Sequence, residues 1–511
     1  MSDTGEATVW RIEAADEAAT RDVAAQVAGL VGAGDLVTLS GDLGAGKTAF
    51  ARALIRKLTD EPTLDVPSPT FTLMQVYDGA NFPIVHADLY RIGNSSELTE
   101  LGWDEATDSA LVLVEWAERA GSALTSERLD VRLTIPPEGG DRRVIELSGF
   151  GAFSARVARA KGATEVLRAA GWQDARRDFM LGDASTRAYE RLTRPDGSKA
   201  ILMISPPRPD GPPVRYGKPY SAIAKLAENI RPFIAIDRIL REDGLSAPQI
   251  YAADLESGFA VLEDLGSDGV VDDNGPIRER YAEAAGALAH IHARPRSDTV
   301  TMGDGSIYRI PPYDLDALLI EIELLLEWYA PHIAGAQLSS GQRATFVNLW
   351  RQIAIEIVNA PATWTLRDYH SPNLIWLAQR EGVKRVGIID FQDCVMGHPA
   401  YDVVSLLQDA RVTVPDEMEL RLLGHYAQLR RTNAADFDMG GFARAYAILG
   451  AQRATKILGI FARLDKRDRK PQYLAHLPRV TRYLRKNLAH PALAPLREWH
   501  LANLPRTVED A

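Results

Sequence analysis

The run Gly41-Asp42-Leu43-Gly44-Ala45-Gly46-Lys47-Thr48 decides the fold of the first part of this 511-residue chain. It matches the pattern G-x-x-x-x-G-K-[ST] in full, between a short apolar run at 35–40 and a helix predicted from 47 to about 58. Glycines let backbone N–H groups curl around a phosphate, and the positive end of the following helix points at the same place. In this pattern Lys47 reaches the outer phosphates and the Thr48 hydroxyl binds Mg²⁺. The run therefore predicts a nucleotide site in an α/β domain.

Acidic residues at the ends of two predicted strands complete this site. Glu115 ends the apolar run 111–114, and Asp88 ends the run 84–87. A phosphate loop of this kind needs an acidic side chain at the end of a neighbouring strand to hold the Mg²⁺ shell. We therefore expect Glu115 in the metal shell and Asp88 near the nucleotide. His86 is expected to be a packed or surface histidine and not a ligand.

The other segments of the first 155 residues alternate between helix and strand. Apolar residues recur at helical spacing from 14 to 31 and end at Gly32 and Gly34. A fully apolar strand such as 111–114 suits a parallel sheet that is buried on both faces. Further strands are predicted at 70–77, 84–88, 131–135 and 143–147. The segment 149–170 carries weak signals and is expected to contain the junction with the next domain.

Charge separates these residues from the rest of the chain. Residues 1–155 carry 12 basic and 25 acidic side chains, a net charge of −13, whereas the remainder holds 46 basic and 44 acidic ones, a net charge of +2. Phosphate contacts supply most of the affinity for nucleic acids. An acidic first domain is therefore expected to bind nucleic acid poorly by itself, and if it serves an RNA pathway it should act through a protein partner.

The overall composition is that of an ordinary globular protein. The chain is 46% hydrophobic and 25% charged, and Cys394 is its single cysteine. These values exclude a disordered chain and a disulfide-stapled one. The most apolar helical stretch, 315–329, is interrupted by four acidic residues, so we expect no membrane span and a cytoplasmic location.

Four motifs in the first part resemble the TsaE family, the ATPase subunit of bacterial tRNA threonylcarbamoyladenosine synthesis. They are the loop 41–48, Ser68-Pro69-Thr70-Phe71-Thr72-Leu73, His86-Ala87-Asp88-Leu89-Tyr90-Arg91 and Glu115-Trp116. The resemblance implies slow ATP hydrolysis that serves a partner complex of the TsaD and TsaB type, which modifies the adenosine beside the anticodon. It places Thr48 and Glu115 at Mg²⁺. It also places Thr70 and Asp88 near the γ-phosphate and Trp116 at the nucleotide.

A second run, Leu366-Arg367-Asp368-Tyr369-His370-Ser371-Pro372-Asn373, decides the fold of the second part. Its aspartate precedes its asparagine by five residues, and the apolar strand 386–389 then leads into Asp390-Phe391. In phosphoryl transfer the first aspartate accepts or orients the attacking hydroxyl, while the asparagine and the later aspartate hold the metal ions. This order predicts Asp368 as the catalytic residue and Asn373 and Asp390 as Mg²⁺ ligands.

The surrounding segments indicate a strand-rich lobe followed by a helical lobe, with a cleft between them. The chain is predicted to be mostly helical after Gly266. The segment 261–266 connects the two lobes, and the backbone groups of Glu263 and Leu265 in it are expected to bind the edge of the adenine ring. Before the connector, strands are predicted at 188–193, 199–204, 249–253 and 258–263, and a helix near 233–241.

The lysine that kinases carry on a strand of the first lobe is missing. The run Ala200-Ile201-Leu202-Met203 ends in methionine, which cannot neutralise phosphate charge. Another cation must therefore do so, or the lobe is inactive. The run 182–187 lies where a phosphate-covering loop is expected, and Arg187 is the predicted substitute; a surface arginine is the alternative interpretation.

Residues from about 170 to the end resemble the aminoglycoside phosphotransferase superfamily, and within it the bacterial anomeric amino-sugar kinases (AmgK-like). That group also lacks the strand lysine. The resemblance implies ATP-dependent phosphorylation of the anomeric hydroxyl of N-acetylmuramate or N-acetylglucosamine in cell-wall recycling, and a structural role for Asp402. The runs that carry it are Gly182-Asp183-Ala184-Ser185, Ile389-Asp390-Phe391-Gln392-Asp393, residues 401–407, Gln452-Arg453 and residues 459–464.

The sugar pocket admits two interpretations from sequence. The run Glu327-Trp328-Tyr329 is either a platform for a sugar ring or part of a buried helix. Arg453 and Arg463 either meet a substrate carboxylate or pair with Asp465 or Asp468 at the surface.

These patterns predict a two-domain chain. An α/β P-loop NTPase domain (1–155) and a junction (156–170) precede a bilobal α+β, protein-kinase-like aminoglycoside phosphotransferase domain (171–511), with its small β lobe at about 171–265 and its helical lobe at about 266–511. The expected function joins an ATPase for tRNA modification to an ATP-dependent amino-sugar kinase, both using Mg²⁺. Two alternatives remain for the second domain. One is a kinase for aminoglycosides or other small molecules, although an aminoglycoside pocket should be acidic and this half is net +2; the other is a nucleotide-binding pseudokinase. The two sites are either coupled or joined without coupling.

Overall fold

The computed structural model describes residues 7–92, 97, 103–120, 124–137, 139–180, 187–207 and 211–508, apart from the side chains of Asp104 and Asn433. The chain divides into two compact units, and the boundary falls between Gln173 and Asp174. Within these ranges no helix is long and apolar enough to cross a membrane.

The first unit is built on one seven-stranded sheet. Its strands are β1 Thr8–Ala14, β2 Leu36–Ser40, β3 Met74–Asp78, β4 Pro83–Asp88, β5 Leu111–Glu115, β6 Leu129–Thr134 and β7 Arg143–Gly149. Its described helices are α1 Glu17–Ala28, α2 Lys47–Thr59, α3 Trp103–Thr107 and α4 Ala152–Ala169, with a 3₁₀ turn at Ala117–Arg119. The strand order is β1-β7-β6-β2-β5-β4-β3, in which β2 pairs in parallel with β5 and β6, and β4 with β5.

The parallel centre of this sheet places the site. The strands β2 and β5 are nearly continuous apolar runs, and Leu39, Leu111 and Leu113 are fully buried, as expected for parallel strands covered on both faces. The carboxyl ends of parallel strands meet at one edge. Glu115 accordingly lies opposite both Leu39 on β2 and Asp88 on β4.

Three segments of this unit differ from the sequence prediction. The predicted helix 14–31 begins only at Glu17, where the Asp16 carboxylate accepts from the Ala19 N–H at 2.8 Å, and the residues before it form the edge strand β1. The strand predicted at 70–77 begins at Met74, because the preceding residues turn towards β4. Most of the expected junction, 156–170, lies in the helix α4, which packs on β1 and β7. This helix contains many alanines, so its apolar face gives only a weak signal in the sequence.

The second unit begins with a five-stranded antiparallel sheet in the order β13-β14-β10-β9-β8. These strands are β8 Arg176–Met180, β9 Ala188–Thr193, β10 Lys199–Ile204, β13 Ile250–Asp254 and β14 Phe259–Glu263. The short hairpins are β11 Pro213–Arg215 with β12 Lys218–Pro219, β15 Val271–Asp272 with β16 Gly275–Pro276, and β17 Thr299–Thr301 with β18 Ile307–Arg309. The remaining pairs are β19 Thr363–Thr365 with β22 Val395–Gly397, and β20 Leu374–Trp376 with β21 Val386–Ile388.

Helices make up the rest of this unit. They are α5 Tyr220–Ala224, α6 Arg231–Glu242, α7 Arg278–His292, α8 Leu315–Leu324, α9 Ala330–His332, α10 Ser340–Val358, α11 Ala400–Leu407, α12 Asp416–Asn433, α13 Met439–Lys466, α14 Leu477–Leu488 and α15 Ala494–Asn503. A π-helical turn, Leu325–Tyr329, joins α8 to α9. The 3₁₀ turns are Ser371–Asn373, Gly382–Arg385, Pro471–His476, Pro491–Leu493 and Pro505–Thr507. One apolar core joins the sheet to these helices.

The strand predictions hold best where apolar residues face this core. The observed bounds of β9 and β10 equal the predicted ones, and Met203, at the position of the missing lysine, is fully buried opposite Ala260 of β14. The edge strand β8 was not predicted, because four of its five side chains are exposed and it lacks an alternating apolar pattern.

Candidate functional sites

The phosphate loop of the first unit joins β2 to α2 and depends on two glycines with left-handed backbone. Gly41 has a φ of +138°, and a Cβ there would lie 2.2 Å from the carbonyl oxygen of Leu133. Gly46, with a φ of +105°, caps the start of α2. Both positions require glycine. Backbone N–H groups and the N-terminus of α2 are thereby presented to a phosphate.

The Thr48 hydroxyl and the Glu115 carboxylate meet where the loop crosses the sheet edge. Thr48 Oγ1 donates to Glu115 Oε1 and Oε2 at 2.9 and 3.1 Å. Hydroxyl and carboxylate oxygens are the hard ligands that Mg²⁺ prefers, so this pair fits the predicted metal shell. His86 is fully buried, and its Nε2 lies 3.1 Å from Glu115 Oε1. The expectation of a packed histidine agrees with this position, but the sequence did not predict its contact with Glu115.

A second carboxylate, Asp88, gathers two hydroxyl groups at the same edge. Ser68 Oγ and Thr70 Oγ1 donate to Asp88 Oδ2 at 2.9 and 2.8 Å, and the Tyr90 backbone N–H donates to Oδ1 at 3.0 Å. The predicted pair of Thr70 and Asp88 is therefore in direct contact, and the carboxylate fixes the direction of the threonine hydroxyl.

The Lys47 ammonium lies between the loop and an aromatic ring. Its Nζ donates to the carbonyl oxygens of Gly41 and Asp42 at 2.8 and 3.1 Å and lies 4.1 Å from the centre of the Trp116 ring. A cleft of about 430 Å³ opens here. Its lining includes Leu43, Gly44, Gly46, Lys47, Thr48, Ser68, Thr70, Asp88, Glu115 and Trp116. The structure thus brings the predicted residues of the first site together, with Gly41, Asp42 and Ala45 in the loop itself.

In the second unit the loop that carries Asp368 is anchored by Asp402. The backbone N–H groups of Leu366 and Arg367 donate to the Asp402 carboxylate at 2.7 and 2.8 Å, and Ser405 Oγ donates to the Arg367 carbonyl oxygen at 3.0 Å. Arg367 has a φ of +67°, a conformation that costs about 1–3 kcal/mol outside glycine. The anchoring bonds offset this strain and fix the direction of Asp368, in agreement with the structural role expected of Asp402.

The predicted metal ligands and Arg187 meet beside Asp368. Asn373 Nδ2 donates to the Asp368 carbonyl oxygen at 2.9 Å and to Asp390 Oδ2 at 3.3 Å. Asp390 Oδ1 accepts from Arg187 Nη1 at 3.0 Å and from Gln392 Nε2 at 2.9 Å. Carboxylate and amide oxygens suit Mg²⁺. Arg187 is thus an ion-pair partner of the predicted metal ligand and not a lone surface arginine.

Cations around Asp368 keep its side chain ionised. Burial raises the pKa of this carboxyl, but the charges of Lys456, Arg453 and Arg367 outweigh that effect, and the pKa lies below its ordinary value. An ionised carboxylate beside the predicted metal ligands can orient a hydroxyl and accept its proton.

A buried charge cluster behind the loop was missed by the sequence analysis. Glu321 is fully buried, and its carboxylate accepts hydrogen bonds from Arg367, from Tyr313 Oη at 2.5 Å and from Gln452 Nε2 at 3.0 Å, and it forms an ion pair with Lys456 Nζ at 2.8 Å. The only sequence signal was a set of acidic residues inside a largely apolar helix, which does not distinguish Glu321 from Asp316 or Glu323.

The connector between the lobes forms hydrogen bonds with residues of both lobes. Glu263 Oε1 accepts from Arg380 Nη2 at 2.6 Å, and Glu263 Oε2 accepts from the Gln249 backbone N–H at 3.1 Å. The Leu265 side chain packs against Gly387. The run Gly182-Asp183-Ala184-Ser185-Thr186 of the predicted phosphate-covering loop lies outside the described residues.

The aromatic run lies partly in the core of the second unit, and neither Arg453 nor Arg463 forms an ion pair with Asp465 or Asp468. Tyr329 belongs to the core, and half-buried Trp328 packs against His332 with ring centres 5.9 Å apart. The two carboxylates that the sequence offered as partners for these arginines pair with other residues: Asp465 pairs with Lys466 at 3.1 Å, and Asp468 pairs with Arg467 at 2.7 Å.

Comparison with known proteins matches each unit separately. The family model of the threonylcarbamoyl adenosine biosynthesis protein TsaE matches residues 14–144, and the model of the phosphotransferase enzyme family matches residues 179–437. An N-acetylmuramate/N-acetylglucosamine kinase of Caulobacter vibrioides is 40% identical over 348 residues, which cover 65% of this chain and 93% of that protein. A kinase of the same name from Pseudomonas putida is 32% identical over 62% of this chain and 85% of its own. A tRNA threonylcarbamoyladenosine biosynthesis protein TsaE of Rickettsia felis is 42% identical over 24% of this chain and 71% of its own.

Proposed function

Because the chain belongs to the phosphotransferase enzyme family through its second unit and to the TsaE family through its first, we propose that it is a bifunctional, ATP-dependent enzyme. The second unit would phosphorylate the anomeric hydroxyl of N-acetylmuramate or N-acetylglucosamine. The first would be the ATPase that supports threonylcarbamoyladenosine modification of tRNA. The observation that carries the kinase function is the cluster of Asp368, Asn373, Asp390 and Arg187.

Each residue of this cluster has a separate task in phosphoryl transfer. Asp368 would orient the sugar hydroxyl towards the γ-phosphorus and take its proton late in the reaction. Asn373 and Asp390 would hold Mg²⁺, which neutralises phosphate charge when it is bound. Arg187, held against Asp390, would supply the cation that Met203 cannot. The backbone of Glu263 and Leu265 would receive the adenine.

Replacing Arg187 should weaken ATP binding more than sugar binding. Arg187→Met is expected to raise the KM for ATP about 10-fold or more, the usual cost of a lost hydrogen bond between charged groups. Arg187→Lys should restore part of the affinity, because it keeps the charge. The exposed Arg176→Met serves as control, since its side chain pairs only with Asp178 among the described residues. An unchanged KM for ATP in Arg187→Met would remove this residue from the site.

The product identifies the kinase reaction. With ATP, Mg²⁺ and either amino sugar, the full chain should form a sugar 1-phosphate, which phosphorus NMR distinguishes from a 6-phosphate. A 6-phosphate would reject the anomeric assignment and keep the kinase. Phosphorylation of aminoglycosides but not of amino sugars would favour the antibiotic-kinase alternative, and no transfer to any acceptor would favour a pseudokinase.

The first unit would act through partner proteins. Thr48 and Glu115 would hold Mg²⁺, Lys47 would bind the outer phosphates, and Thr70 with Asp88 would lie near the γ-phosphate. The proposed partners are synthesis subunits of the TsaD and TsaB type, with tRNA bound only indirectly.

Weak intrinsic tRNA binding follows from the charge of the chain. With a net charge of −11, the purified full chain should bind tRNA with a Kd weaker than about 10⁻⁵ M at physiological salt. Addition of the partner subunits should bring tRNA into the complex, as measured by gel shift. A tight, salt-sensitive complex with the chain alone would contradict indirect binding.

A further inference from the structure

A row of three cations lies along one face of the long helix α13. Arg453, Lys456 and Arg463 are spaced by three and seven residues, which places them on the same side of a helix. Gly459, between the last two, touches the end of α8: a Cβ there would lie 2.4 Å from the backbone carbon of Leu324. Lys456 and Arg463 therefore lie on opposite sides of this contact point along α13.

Two of the three cations already have partners. The Lys456 ammonium forms an ion pair with Glu321 at 2.8 Å. Arg453 is 5% exposed and lies against the Tyr401 ring, with its carbon Cζ 5.7 Å from the ring centre. Both lie in the electrostatic surroundings of Asp368 and lower the pKa of that carboxyl. They therefore compensate charge behind the catalytic loop.

Against the effect of burial, Tyr401 and Asp368 raise the pKa of Arg453, whereas burial lowers the pKa of Arg463. Its guanidinium stacks on the Tyr220 ring at 5.4 Å, and among the described residues it has no hydrogen-bond or ion-pair partner. Its Nε is buried without an acceptor, and burial lowers the pKa of the group. The carboxylates of Asp468 and Glu327 act on the group from a distance, but neither forms an ion pair with it. A half-buried guanidinium without a paired anion costs free energy. A rigid, planar fork held flat on an aromatic ring is suited to bind a carboxylate through two parallel hydrogen bonds.

The position of Tyr220 connects Arg463 to the catalytic loop. The helix α5 that begins with Tyr220 packs on α8, which carries Glu321. Burial raises the pKa of Tyr220 to about 12, and Glu321, Lys456, Arg463 and Arg367 all act on this group. A series of neighbouring groups thus connects Arg463 through Tyr220 and Glu321 to Arg367, which precedes Asp368 in the loop.

We propose that Arg463, backed by Tyr220, binds a carboxylate of the acceptor sugar, so that an acidic N-acetyl amino sugar is preferred over its neutral counterpart. The inference rests on the proposed sugar-kinase function. Its chemistry requires an anionic side group on the sugar, as the lactyl ether of N-acetylmuramate provides, and it assigns no role to Arg463 in the transfer step. Arg463 is accordingly a specificity residue.

Steady-state kinetics of the full chain with two sugars test this assignment. Arg463→Met should raise the KM for N-acetylmuramate about 10- to 100-fold, the cost of lost hydrogen bonds to a charged group, and leave kcat nearly unchanged. The KM for N-acetylglucosamine should change less than about 2-fold, since a neutral sugar offers no anion. Arg463→Lys should recover part of the loss for the acidic sugar only. Arg444→Met, on the same helix and paired with Glu356, is the matched control and should change neither KM.

A chemical counterpart keeps the test independent of protein folding. With the unaltered chain, replacing the carboxylate of N-acetylmuramate by a carboxamide should raise the KM. The rise should equal the one that Arg463→Met causes for N-acetylmuramate itself. Equal effects of Arg463→Met on both sugars, or an acid and a carboxamide with equal KM, would overturn the role of Arg463 while leaving the kinase in place. Failure of the unaltered chain to phosphorylate either sugar would overturn the proposed function itself.

Discussion

Asp368→Asn should lower the kcat for sugar phosphorylation about 100-fold or more, the usual worth of a positioned acid–base group. The substitution keeps the size of the side chain and removes the charge that orients the hydroxyl and takes its proton. The KM for ATP should stay nearly unchanged, because the Mg²⁺ ligands are assigned to Asn373 and Asp390. Quenched kinetics with labelled ATP measure both constants.

Two further variants separate the loss of the catalytic carboxylate from the loss of metal binding and from a general effect of an Asp→Asn change. Asp390→Asn should weaken Mg·ATP binding as well as turnover, since it alters a metal ligand and the partner of Arg187. Asp304→Asn makes the same chemical change at an exposed turn, where the carboxylate caps Ser306, and should leave both constants unchanged. Full activity of Asp368→Asn would reject the catalytic loop.

The sequence predicted those residues of the two sites that belong to a short motif of fixed spacing or that follow an apolar strand. The loop 41–48 and the run 366–373 each carry their chemistry at fixed spacing, so both folds and both resemblances could be read from them and are confirmed by the family matches. Glu115 was predicted because it ends an apolar strand of a parallel sheet, in which the carboxyl ends of the strands meet at one edge. Asp390 was predicted because it follows an apolar run that comes after the catalytic-loop motif. The roles of the individual residues remain predictions.

What escaped prediction depends on contacts between residues distant in sequence. The bond of His86 to Glu115 crosses from β4 to β5, and the ion pair of Glu321 with Lys456 joins two helices that lie more than 100 residues apart in the chain. Acidic residues in a largely apolar helix do not reveal which of them is buried or what its partner is. The edge strand β8 was missed because four of its five side chains are exposed and it lacks the apolar pattern on which the prediction relies. The edge strand β1 does alternate, with Trp10 and Ala14 buried, but its last residue was assigned to the following helix.

Lys47→Ala should abolish ATP hydrolysis at the first site, and Glu115→Gln should do the same through the metal shell. Loss of a preorganised charge on a transferring phosphate costs about 100-fold or more in turnover. Measuring this in the full chain requires that the second site be silent, so both substitutions are best made in the Asp368→Asn background without sugar. Phosphate release then reports the first site alone. Lys57→Ala, an exposed lysine on the same helix α2, is the matched control.

The reverse measurement decides whether the two sites work independently. In a chain with Asp368 intact, Lys47→Ala should leave the kcat and KM for sugar phosphorylation within about 2-fold, because Lys47 and Asp368 belong to different compact units with separate cores. Loss of sugar phosphorylation in Lys47→Ala protein with an unaltered melting profile would contradict independent sites. It would mean that nucleotide bound at the phosphate loop controls the kinase, and the single chain would then be a coupled enzyme instead of two joined ones.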